Sequence, residues 1–152
     1  YVSLFAIGHS TTMLLGVYFN VGINSYIIDA IIGLSVLYKA LDNMGAFQRW
    51  LGFQPNTKVA TLIFGLFHGF GLSTKILEYS ISPDGLVPNL LAFNVGVEIG
   101  QLTALATILI VMGFWRRTNS FWRNAYAANT VMLTAGFVLI GYQLTGYFIS
   151  QV

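Results

Sequence analysis

Three ionisable residues stand deep inside apolar stretches: His9, His68 and Glu98. Two imidazoles and a carboxylate make a borderline-hard nitrogen and oxygen donor set, one that suits nickel, cobalt, zinc or copper(II). The sequence contains no cysteine, which removes a soft thiolate site for copper(I). Binding through this set needs neutral imidazole and ionised carboxylate, so affinity should fall on acidification and loading should release protons. Asn94 and Gln101 stand close to Glu98 in phase: at about 100° per residue the three fall within an arc of about 60° on one helix face. They are candidates to orient a ligand or line its path, as are Ser10 and Thr12 beside His9. Asp29 reads first as a helix N-terminal group and second as part of an ion path.

Whatever positions these groups lies in a membrane. The chain has 152 residues, of which 56% are hydrophobic and 8% charged, with a mean hydropathy of +0.73. A soluble globular surface needs about a quarter of its residues charged, and a disordered chain needs low hydrophobicity. The net charge of +2 is dispersed, without a basic stripe, so nucleic acid is not a partner. Five stretches approach the roughly 20 apolar residues that a spanning helix needs. They run approximately over 1–19, 26–42, 57–79, 88–115 and 125–149. The expected fold is therefore all-α, a polytopic transmembrane helical bundle forming a single domain over 1–152. The first residue is not Met and the chain is apolar from its start, which predicts at least one further helix upstream.

Lys and Arg near helix ends set the orientation. Arg49 and Lys58 lie in the connection between the second and third stretches, with Lys39 nearby; Arg116, Arg117 and Arg123 lie between the fourth and fifth. Connections 43–57 and 116–124 are expected on the cytoplasmic side and the C-terminus outside. Trp50, Trp115 and Trp122 fall on the basic side and Tyr18, Tyr26, Tyr79 and Tyr147 on the other, as interfacial anchors do. The opposite connection, 80–87, carries only Asp84.

A rise of about 1.5 Å per residue puts His9, His68 and Glu98 each roughly 15 Å from a helix end, near one level. An ionisable group at that depth costs roughly 2.5 kcal/mol or more, so it tends to face the bundle interior. Small residues flank all three. Gly65 and Gly69 form one Gly-x-x-x-Gly pair beside His68, and Gly96 and Gly100 form another on the face opposite Glu98. Gly8, Thr12 and Gly16 repeat at four-residue spacing beside His9. Phe5-x-x-x-His9 echoes Phe64-x-x-x-His68, a weak sign of a parallel repeat. The plainer account of the buried groups is a set of interhelical locks, although such bonds average well under 1 kcal/mol in membranes, roughly 0.6. Lys39 with Asp42, and Lys75 with Glu78, read as interfacial pairs.

The segments Phe5-Ala-Ile-Gly-His-Ser-Thr-Thr12, Ile28 to Asn43, Phe64-Gly-Leu-Phe-His-Gly-Phe-Gly71 and Phe93-Asn-Val-Gly-Val-Glu-Ile-Gly-Gln-Leu102 resemble, in order, blocks of the HupE/UreJ membrane protein family. The resemblance implies a bacterial inner-membrane protein associated with nickel or cobalt uptake. It carries family positions onto His9, His68, Asn94, Glu98 and Gln101. Asp29 and Asp42 stand where the family pattern leads one to expect Glu, and Lys39 where it has an apolar residue. The pattern also includes an upstream helix with a His and an Asp-His motif.

The expected function is a permease or membrane-borne binding component for a divalent transition metal, nickel or cobalt foremost, working as an oligomer or in a larger membrane assembly. The alternative is a structural or assembly subunit of such a complex. No serine-nucleophile, zinc-protease, phosphate-loop or cofactor motif occurs, so an enzyme is not expected.

Overall fold

The computed structural model describes residues 1–78 and 85–151. The described residues form six helices and no strand: α1 (Val2–Tyr18), α2 (Ser25–Asn43), α3 (Ala46–Leu51), α4 (Thr57–Leu77), α5 (Leu86–Arg116) and α6 (Asn119–Ile149). Their limits follow local chemistry. The Asn24 side chain accepts from the Tyr26 N–H at 3.0 Å, and Asn56 accepts from Lys58 and Val59 at 3.0 and 3.3 Å, so asparagine caps start α2 and α4. Asn20, at φ 52°, turns the chain out of α1. Gly45 and Gly52, at φ 70° and 74°, bracket the short α3, conformations that a side chain resists. Pro88 sits in the first turn of α5, where its missing N–H leaves no bond unmade.

Three helices among those described, α4, α5 and α6, are long and apolar enough to cross a membrane, rather than five. The other two expected spans fall short for separate reasons. α1 has 17 residues, about 25 Å of rise against a hydrocarbon core of roughly 30 Å. α2 has 19 residues and carries Asp29, Lys39 and Asp42. Two further expectations shift. The connection after α2 contains α3, and α6 begins at Asn119, so most of 116–124 is helix. Trp115 meets Phe121 edge-on at 5.1 Å with Arg116 over the same ring at 5.7 Å, which lets α5 and α6 join through a tight corner. Tyr79, Asp84 and the final Val152 lie outside the described residues.

The chain divides into two compact units, Tyr1–Ile81 with Asn129–Val152, and Ser82–Ala128. In the first, α1 and α4 run parallel in backbone contact. A Cβ at Gly8 would lie 2.8 Å from the Leu62 carbonyl, one at Gly65 would meet the Phe5 carbonyl, and one at Gly69 would collide with Thr12 Oγ1 and the His9 carbonyl. Small residues permit this approach, in which packing and hydrogen bonds replace the hydrophobic drive missing in lipid. α2 and the later part of α6 form an antiparallel pair of the same kind. A Cβ on Gly136 would lie 3.1 Å from the Gly33 carbonyl, Gly146 abuts the Tyr26 ring, and Asn43 Nδ2 donates to Asn129 Oδ1 at 2.9 Å. The second unit holds α5, 31 residues and about 46 Å long.

Candidate functional site

The first unit gathers both histidines. His9 lies 4% exposed in the α1/α4 seam, its ring stacked on Phe5 at 6.0 Å between centroids. Phe5 also meets His68 of α4 edge-on at 5.1 Å. One phenyl ring thus touches both imidazoles. One turn along α1, Thr12 Oγ1 reaches the Leu66 carbonyl of α4 at 2.7 Å and the Gly8 carbonyl at 2.9 Å. Its single proton is shared between a bond within α1 and one across the seam.

His68 is half-buried, and its Nδ1 stands 2.7 Å from the Phe64 carbonyl. A carbonyl only accepts, so Nδ1 donates, and in neutral imidazole the lone pair is left on Nε2. Metal-binding histidines are oriented in this way, by a bond from the second ring nitrogen to a backbone oxygen or carboxylate. His68 borders a cavity of about 360 Å³ among α1, α2, α4 and α6, which Phe5, Tyr38, Lys39 and Thr61 also line. Ser10 is half-buried on α1. Asp29 lies apart from the histidines: Lys75 Nζ approaches its carboxylate at 3.4 Å and Gln143 Nε2 at 3.5 Å, so α2, α4 and α6 meet there.

In the second unit Asn94 Nδ2 donates to Glu98 Oε1 at 3.3 Å, one turn along α5. Asn94 is buried; Glu98 and Gln101 are half-buried. The four glycines singled out in the sequence behave differently. Gly65 and Gly69 form the α1/α4 seam, whereas nothing among the described residues lies within 4 Å of a Cβ built at Gly96 or Gly100. No group of three or more His, Cys, Asp or Glu side chains among the described residues is placed to hold a metal ion. His68 therefore supplies one oriented nitrogen rather than a closed cage.

The family model described as HupE / UreJ protein matches residues 1–151. The chain belongs to the HupE/UreJ family. Comparison with curated proteins and with solved structures finds no match. Family membership and the apolar helices together make it a membrane protein.

Sequence reasoning missed two participants, Phe5 and Tyr38. The i, i+4 spacing of Phe5 and His9 signalled the first, since residues one turn apart share a face. The second left no such signal, because Tyr38 meets His68's cavity only through the pairing of α2 with α4.

Proposed function

We propose that this HupE/UreJ protein is a permease, or a membrane-borne binding component, for a divalent transition metal, with nickel and cobalt ahead of zinc and copper. It works in the bacterial inner membrane with the basic connections cytoplasmic. The observation that supports this reading is the His68 ring: its Nδ1 bond to the Phe64 carbonyl leaves Nε2 as a fixed donor beside a cavity. A transport site does not need a tetrahedral cage. Conduction requires binding favourable enough to admit an ion and weak enough to release it, which single or paired ligands provide and a saturated site does not. His9 on α1 and Glu98 on α5, the latter with its carboxylate hydrogen-bonded by Asn94, are the further candidate ligands in this reading.

Equilibrium dialysis of the purified protein against Ni²⁺ and Co²⁺ tests it. Binding by the parent is expected, weakening on acidification because protons compete for the ligands, and lost or strongly reduced in His68→Ala and Glu98→Gln. A parent that binds neither ion, or a His68→Ala protein that binds as the parent does, removes the permease reading. The structural-subunit reading then stands, supported by the long α5 whose apolar surface its own unit leaves uncovered.

A further inference from the structure

The α2/α4 seam of the first unit differs at its two ends. From the start of α4 its cavity-lining residues are Thr57, Ala60, Thr61, Phe64 and His68. Their spacing keeps them along one side of the helix, and eleven residues of rise span about 16 Å. The cavity therefore reaches from the helix start to His68. Ser35, Tyr38 and Lys39 of α2 line the facing wall. Tyr38 Oη is buried and has no hydrogen-bond partner among the described residues. Lys39 at the mouth does not present a bare positive charge. Asp42 holds its ammonium at 2.7 Å and also accepts from Gln54, so the charge is balanced where a cation would enter.

Past His68 the seam closes. A Cβ on Gly71 would stand 2.9 Å from Ile28 Cγ2 and 3.3 Å from Ile32 Cδ1, and Ile28 is 1% exposed. One turn further, Lys75 Nζ and Gln143 Nε2 approach the Asp29 carboxylate at 3.4 and 3.5 Å.

We propose that the α2/α4 seam is a one-ended vestibule through which the permeating cation reaches His68, open where α2 ends and α4 begins and sealed beyond His68 by Ile28 against Gly71. The cargo rests on the permease reading above; the vestibule itself does not. Access from one side at a time is what a secondary transporter requires of a central site.

The sequence lacks cysteine, so single-cysteine labelling has no background. Thr61→Cys and Ser35→Cys are suitable probes, because among the described residues each hydroxyl bonds only a carbonyl of its own helix, Thr57 and Ile32, both at 2.7 Å. Lys58→Cys and Glu78→Cys mark the two exposed ends of α4. The full chain is reconstituted in vesicles and a membrane-impermeant methanethiosulfonate is added to either side. Thr61→Cys and Ser35→Cys are expected to react from the side on which Lys58→Cys reacts and not from the Glu78→Cys side, with Ile28→Cys silent from both. Reaction of Thr61→Cys and Ser35→Cys from the Glu78 side, or silence of both probes, overturns the vestibule. Ile28→Ala in the Thr61→Cys background is expected to add labelling from the Glu78 side, several-fold above the parent; labelling that stays single-sided in a folded protein overturns the seal. Ni²⁺ binding is measured on the same preparations. One-sided labelling without metal binding supports the vestibule and removes its cargo, whereas metal binding without one-sided labelling overturns the vestibule and leaves the permease reading standing.

Discussion

The α1/α4 pair and α5 both carry Gly-x-x-x-Gly, and they use it in opposite ways. In the first pair every glycine notch is filled: Gly8 and Gly65 face backbone, Gly69 faces Thr12 and His9, and Gly16 faces Ser73. On α5 no described residue fills the notches at Gly96 and Gly100. The same motif thus forms a completed contact in one unit and an unfilled surface in the other. The motif records that close approach is permitted, not that it takes place. In the α1/α4 pair the approach also brings a bond across the seam, from Thr12 Oγ1 to the Leu66 carbonyl.

The largest expected effect is Gly65→Leu, which would drive a side chain into the Phe5 backbone. Overpacking costs roughly 1–3 kcal/mol and occasionally more, and a collision with backbone belongs at the upper end. Denaturation in detergent micelles should show that loss, and the matching Gly96→Leu should stay within about 0.5 kcal/mol of the parent. An equal loss for Gly96→Leu would break the comparison, because α5's glycines would then be covered too. Phe5→Ala comes next. Removing a half-buried ring that touches both imidazoles should cost about 2 kcal/mol, below the 3–5 typical of a fully buried phenylalanine. It should also disturb the His68 imidazole resonance, and an unmoved resonance would show that Phe5 does not orient that ring. Thr12→Val keeps the shape and deletes the shared proton. Interhelical bonds of this kind average about 0.6 kcal/mol, so a loss above about 2 would mean that the seam depends on Thr12 more than on its glycines. Asp29→Asn should be smallest, below about 1 kcal/mol, since Lys75 is half exposed and its pairing is loose.

Much of this arrangement is legible from sequence for a definite reason. Helices in an apolar chain satisfy their own backbone, so four of the five expected segments match described helices within about two residues at most limits, with asparagine caps to mark two starts. The phase that sets Asn94 and Glu98 on one face of α5 agrees with the 3.3 Å bond found between them. The count of spans fails where periodicity says nothing of cost: three charges in α2 and only 17 residues in α1. The short α3 is missed because two left-handed glycines, rather than an apolar pattern, delimit it. The Gly33 and Gly136 contact escapes notice because neither belongs to a Gly-x-x-x-Gly pair, and only the antiparallel register of α2 with α6 brings them together. Tyr38 and the cavity are hidden for the same reason, since pairing of distant segments carries no local signature.

The direct backbone contact between α1 and α4 has a mechanical consequence. With carbonyls seated against the Cα atoms of Gly8, Gly65 and Gly69, the two rods have little room to tilt at those points and behave as a single stiff strut. Displacement within such a joint would require a slip of one helical turn, about 5.4 Å, rather than a gentle rocking. Motion within this unit then takes the form of α2 and the later part of α6, themselves closely paired, shifting against that strut.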